Sequence, residues 1–326
     1  MILITGGAGF IGSNLQAALA RRGLETVVVD LLGCKGKWRN LAKHAPDRII
    51  HPDGLDAFLE TRPALEMVFH LGAVSSTSAT DGDHTWASNV ELSRRLWTLC
   101  AEHEVRFAYA SSASTYGDGS KGFDDDGSAA ALERLRPLSL YGWTKHAFDL
   151  SVARRLAVAR ERPPQWVGLK FFNVYGPNEY HKDAMISVVK VKYDEIAADL
   201  PARLFRSEVP GLPDGQQARD FIWVGDVVDV MLWLFDHPEV NGLFNVGTGQ
   251  ARSYLDLAHA VSDAANKPRS VEFIDTPRAL KAQYQSFTQA PMDRLRTVGY
   301  AGQFTPLEEG VRRYVQEYLA TADLYA

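Results

Sequence analysis

Apolar residues gather into short runs of strand length, and between the runs they recur every three or four positions. Met1–Thr5 is the first run, and others follow at Thr26–Val29, Met67–Leu71, Arg106–Ala110, Trp166–Phe172 and Leu243–Val246. Between the first two, Asn14–Arg22 places Leu15, Ala18 and Leu19 at helical spacing, and Trp86–Glu104 and Trp143–Arg160 read as further helices. Strand runs that alternate with helices predict an α/β fold: a doubly wound, Rossmann-type parallel sheet with helices on both faces.

Gly6, Gly7, Gly9 and Gly12 lie between the first strand run and the first helix. They fit both G-x-G-x-x-G and its variant with wider spacing. Glycines there allow a tight turn and leave no Cβ between backbone and ligand. The helix start that follows offers unpaired N–H groups and a positive dipole end, which suit a phosphate. Asp30 ends the second run, about twenty residues further on, where an acid binds the adenosine ribose of a dinucleotide. The expected ligand is a nicotinamide dinucleotide. Asp30 favours NAD, whereas Lys35, Lys37 and Arg39 just beyond it could hold a 2′-phosphate or form a solvated loop.

Two stretches interrupt the alternation. Asp118–Pro137, with DGSKGFDDDGS, and Val209–Gln217 read as loops, and Asp124, Asp125 and Asp126 read as a solvated turn. After Pro177 the alternation weakens. Residues 1–176, with 220–247 returning to the same sheet, are therefore expected to form the dinucleotide-binding part. Residues 177–219 and 248–326 are expected to form mainly a smaller C-terminal substrate-binding domain. The 326 residues allow ample core, and 46% hydrophobic and 23% charged content is ordinary for a soluble globular chain. A net charge of −5 gives no reason to expect nucleic acid or an anionic membrane as partner. Two cysteines, Cys34 and Cys100, exclude a disulfide framework or a cysteine metal cluster. The strand run at Met1 and the lack of a span of about 20 apolar residues point to a cytoplasmic protein.

Candidate chemistry sits where strands should end. Leu71, Gly72 and Ala73 follow one run and would let a cofactor approach; Ser111, Ser112 and Ala113 follow the next. Tyr141 and Lys145 are four apart and so share a helix face. An ammonium near a phenol favours phenolate, which suits Tyr141 to proton exchange near neutral pH. Lys145 could also bind the nicotinamide ribose, and Ser112 could donate a hydrogen bond to the reacting oxygen.

TGGAGFIGSN, HLGA, SSASTYG, YGWTK, FFNVYGP and RDFIWVGDV follow one another as in the extended short-chain dehydrogenases that act on nucleotide sugars, and the chain resembles that family over nearly its whole length. FFNVYGPNEYHKDAM and YQSFTQ are similar to the branch that inverts a carbon of an ADP-linked heptose. The resemblance implies an epimerase that oxidises a carbinol, returns the hydride to the other face, and regenerates NADP, with NAD open. It implies Tyr141, Ser112, Lys145 and Lys182 as catalytic residues, Lys182 being a second proton carrier; its alternative is a loop lysine that binds phosphate. Cofactor contacts are implied at Gly6, Gly9, Phe10, Ile11, Gly12, Asp30, Leu31 and Lys37. Further ones are implied at Leu71, Gly72, Ala73, Val74, Ser75, Asn89, Tyr141, Lys145 and Val174. Substrate contacts are implied at Ser112, Asn173, Ala184, Val191, Phe205, Arg206, Ser207, Arg219 and Tyr284, with Arg219 on the diphosphate. Departures from the family pattern are Asp183-Ala184 after the lysine, Val191 in place of a histidine, and a longer Val209–Gln217 insertion. The implied partners are a small ADP-sugar substrate and further copies of the chain, a pentamer by resemblance. A UDP-hexose 4-epimerase or another nucleotide-sugar enzyme of the same family is the alternative enzyme, and a non-catalytic NADP-sensing regulator the alternative of another class.

Overall fold

The computed structural model describes residues 1–158, 161–277 and 285–326. Its strands are β1 (Ile2–Thr5), β2 (Thr26–Val29), β3 (Arg48–Ile50), β4 (Met67–His70), β5 (Arg106–Ser112), β6 (Trp166–Phe171), β7 (Asn173–Tyr175), β8 (Ala202–Phe205), β9 (Ala218–Trp223), β10 (Gly242–Val246), β11 (Ala251–Ser253) and β12 (Val271–Ile274). Among the described residues, one parallel sheet runs β10-β6-β5-β4-β1-β2-β3. The expected Rossmann-type sheet is therefore present. The order reverses between β1 and β4, the place in an open α/β sheet where a crevice opens beyond the carboxyl ends.

The sheet strands are apolar runs because both faces are covered. Ile2 and Ile4 pack into one core cluster and Leu3 into the other. Val28 likewise faces one cluster while Val27 and Val29 face the second. The order β11-β9-β7 forms a second sheet, and β12 pairs with β8. These small sheets share a third cluster with helices Val188–Ala197, Tyr254–Ala264 and Leu307–Arg313.

Two local readings need correction. The continuous helix expected over Trp86–Glu104 is broken into Gly82–Trp86, a wider π turn at Ala87–Glu91, and Leu92–Glu102. The wide turn carries Asn89, whose amide accepts from Val74 N at 2.8 Å and donates to the Val74 carbonyl at 3.0 Å and to Thr144 Oγ1 at 3.0 Å. Asp125 is not solvated as its neighbours are: its carboxylate accepts from Asn245 N at 2.7 Å, and burial pushes its pKa up to about 6.

Candidate active site

The carboxyl ends of β1, β4, β5 and β6 and the segments after them enclose a cavity of about 480 Å³. Its floor is the glycine turn. Helix Phe10–Arg21 starts at Gly9 with no side-chain cap and no acid in its first turn, so its leading N–H groups face the cavity uncovered. A Cβ on Gly12 would lie 2.2 Å from the Gly6 carbonyl oxygen, so only glycine lets the turn fold this tightly beneath the helix. An uncapped helix start above a turn without side chains fits a dinucleotide diphosphate.

A hydrogen-bonded chain holds the two strand ends at the switch point. Gly72 N donates to Thr5 Oγ1 at 3.1 Å, and Thr5 Oγ1 meets His70 Nδ1 at 2.7 Å. His70 Nε2 meets Ser93 Oγ at 2.8 Å, and Ser93 Oγ donates to the Asn89 carbonyl at 2.7 Å. Burial pulls the His70 pKa down to about 3, and a neutral ring protonated on Nε2 satisfies the whole chain. Neither Thr5 nor His70 was among the sequence candidates, although HLGA contains the histidine.

At the end of β2, Asp30 is engaged on both oxygens. Oδ2 accepts from Ala8 N at 2.9 Å, and Oδ1 from Lys37 Nζ at 2.5 Å. Lys37 thus neutralises the acid beside the space where an adenosine ribose would sit. Leu31 is 54% exposed beyond the strand, outside the cavity lining.

Ser112 closes β5 and accepts from Ser114 N at 3.1 Å, which turns the chain sharply. Ser139 caps helix Leu140–Ala157 by accepting from Gly142 N at 3.1 Å, placing Tyr141 in its first turn and Lys145 one turn on. A Cβ on Gly142 would sit 2.8 Å from the Ser114 carbonyl, so this glycine lets the helix approach the Ser112 turn closely. Tyr141 and Ser112 line the same cavity. Burial raises the Tyr141 pKa; the Ser112 hydroxyl opposes that and Asp149 adds to it. The Lys145 ammonium donates to the Ala110 carbonyl at 2.8 Å. Burial lowers the Lys145 pKa to about 8, against the pull of buried Asp149. Asp149 itself accepts from Ser111 Oγ at 2.7 Å and from the fully buried Lys170 ammonium at 2.8 Å.

Lys182 enters the cavity from the segment after β7, with its ammonium 4.9 Å from the centre of the Phe10 ring. Burial lowers its pKa, and Glu179 opposes the shift. The structure thus brings Gly6, Gly9, Phe10, Ile11, Gly12, Asp30, Lys37, Leu71, Gly72, Ala73, Ser75, Ser112, Tyr141, Lys145, Asn173, Val174, Lys182 and Ala184 to one cavity. Thr77, Ser114, His181, Met185 and Ser187 also line it and were not singled out as contacts. Val74 and Asn89 are not in that lining and hydrogen-bond to each other.

Other candidates lie outside that lining. Val191 is 36% exposed on its helix. Phe205 ends β8; Arg206 beyond it pairs with Asp214 at 2.9 Å, and Ser207 N donates to the same carboxylate at 2.8 Å. Arg219 is buried in β9, donating to the Gln285 carbonyl and standing 5.6 Å from the Tyr254 ring centre. Tyr284 lies outside the described residues.

Residues 2–247 match the NAD dependent epimerase/dehydratase family. The chain belongs to that family. An ADP-L-glycero-D-manno-heptose-6-epimerase of Nitratidesulfovibrio vulgaris strain DP4 is 47% identical, over 99% of this chain and 99% of that protein. Family resemblance extends to solved structures. The Helicobacter pylori ADP-L-glycero-D-manno-heptose-6-epimerase superposes with a TM-score of 0.79 at 26% identity, covering 97% of this chain and 95% of that one. A Thermus thermophilus UDP-glucose 4-epimerase, solved with NAD, gives a TM-score of 0.72 at 26% identity and covers 96% and 97%. A nicotinamide dinucleotide cofactor and epimerase chemistry accord with the family and with the glycine turn.

Proposed function

We propose that this chain inverts C6″ of ADP-D-glycero-D-manno-heptose to the L-glycero epimer, for the heptose of lipopolysaccharide core. The supporting observation is that two proton carriers, Tyr141 and Lys182, open into one cavity from different segments of the chain. Return of the hydride from the other face is easiest with a second proton carrier there. The heptose and its adenine nucleotide are carried over from the relatives' names.

When bound, the nicotinamide supplies reversible hydride acceptance from the carbinol carbon. The residues supply the rest. Ser112 and Tyr141 hold the reacting oxygen, the serine donating a hydrogen bond and the tyrosine exchanging its proton. Burial disfavours the charged form of both carriers, lowering the Lys182 pKa and raising that of Tyr141, which suits the pair to exchange protons with the reacting oxygen. One carrier takes the hydroxyl proton and the other returns one to the oxygen on the opposite side, the roles exchanging with the epimer bound. Lys145 would bind the ribose hydroxyls, and Leu71, Gly72 and Ala73 line the cavity beside it. A substrate deuterated at C6″ should yield product that keeps its deuterium at C6″. Wash-out into water would contradict oxidation and return at that carbon.

The cofactor in this reading is NADP. Asp30 is neutralised by Lys37 and tied to Ala8, so the usual repulsion between this acid and a 2′-phosphate is relieved. Nucleotide released by denaturing the purified protein should be mainly NADP. Lys37→Ala should weaken NADP binding about tenfold or more relative to NAD, because it removes one charge-assisted bond and re-exposes the acid. An unchanged ratio would leave NAD as the cofactor. The cytoplasmic setting and the homo-oligomer, a pentamer by family resemblance, are part of the same reading.

A further inference from the structure

We propose that Glu179 is a positioning residue for Lys182, its carboxylate setting where the ammonium rests and how readily it releases a proton. The proposal rests on reading Lys182 as the second proton carrier. The Glu179 side chain is fully buried, three residues before the lysine. Ser187 N donates to Oε2 at 2.7 Å, Ser187 Oγ donates to Oε1, and Tyr314 OH donates to Oε1 at 3.0 Å. The Lys182 ammonium stands 4.0 Å from Oε2, outside hydrogen-bond reach. Two of these donors come from the cap of helix Val188–Ala197 and the third from the chain's last helical segment. They hold the carboxylate back, so Lys182 feels its charge without being locked to it and stays available to the cavity.

The other groups around Lys182 make Glu179 its main anion. His181 on the same turn is kept neutral near neutral pH, its pKa lowered to about 4 by burial. The Phe10 ring covers one side. Tyr141 and Lys145 line the same cavity, and Tyr180 and Tyr314 stand with Glu179 on its buried side. Asp183, next in sequence, pairs with Lys35 at the exposed rim. Burial drives Lys182 towards the amine, and Glu179 restrains that shift. The lysine can then act as base for one epimer and as acid for the other.

Glu179→Gln keeps an acceptor for Ser187 and Tyr314 while removing the charge. With full-length protein carrying its own cofactor, the rate at which an amine-acylating reagent modifies Lys182 is followed against pH by peptide mass spectrometry. The Lys182 profile should move about one pH unit lower in Glu179→Gln, and the acid limb of kcat should move with it. Tyr314→Phe releases one tether, lets the carboxylate swing towards the ammonium, and should move the profile the other way. If Glu179→Gln does not fold, Tyr314→Phe alone decides. A Lys182 profile that stays in place in whichever of the two variants folds overturns the proposal. Near-normal turnover in Lys182→Met would instead remove the proton-carrier reading, while the labelling profiles would still measure the Glu179–Lys182 coupling.

Discussion

Tyr141→Phe should lower kcat by about a thousandfold while the protein keeps its cofactor, and Lys182→Met should do the same. A positioned acid or base contributes about 10²–10⁴ in rate. Each variant removes one carrier and leaves the fold alone, because neither side chain supports the core: Tyr141 lines the cavity, and the Lys182 ammonium approaches Glu179 only to 4.0 Å. Steady-state kinetics on protein checked for bound nucleotide separates this loss from a loss of cofactor. Near-normal turnover in Lys182→Met would favour a single-carrier mechanism of the 4-epimerase kind.

Gly12→Ala should abolish cofactor retention and lower stability by about 1–3 kcal/mol. The new methyl would lie 2.2 Å from the Gly6 carbonyl oxygen and 2.8 Å from the Gly7 Cα, and both are backbone atoms that cannot turn aside. The helix start would have to lift off the turn, and that start is the proposed diphosphate seat. Absorbance of the released nucleotide and a thermal melt check both halves. Stoichiometric nucleotide in Gly12→Ala would show that the diphosphate lies elsewhere.

The large sheet was legible because its strands are buried on both faces. β1 and β2 read as unbroken apolar runs, and the glycines between β1 and the helix have one economical explanation. The small sheet β11-β9-β7 was not legible: β7 and β11 are three residues each and carry Asn173, Arg252 and Ser253, with no period to read. Within the site, sequence supplied Ser112, Tyr141 and Lys145 from strand-end and helix-face logic, and Lys182 from resemblance. It could not supply their electrostatics. Tyr141 and Lys145 were placed together by helical spacing, and only folding shows the ammonium bonded to the Ala110 carbonyl. Asp30 and Lys37 were both visible, and only folding shows them paired. Glu179 had no signal of its own, since its burial depends on Tyr314, 135 residues away. Arg219, expected on a diphosphate by resemblance, is buried in β9 beside Gln285 and Tyr254, contacts that its sequence position did not announce.

The central claim is inversion of an ADP-heptose at C6″. Purified protein with no added cofactor should be given ADP-D-glycero-D-manno-heptose and, separately, UDP-galactose, with sugar configuration followed by NMR. The expected result is conversion of the ADP-heptose to a mixture of its two C6″ epimers, with UDP-galactose unchanged. Epimerised UDP-galactose beside an untouched ADP-heptose would contradict it.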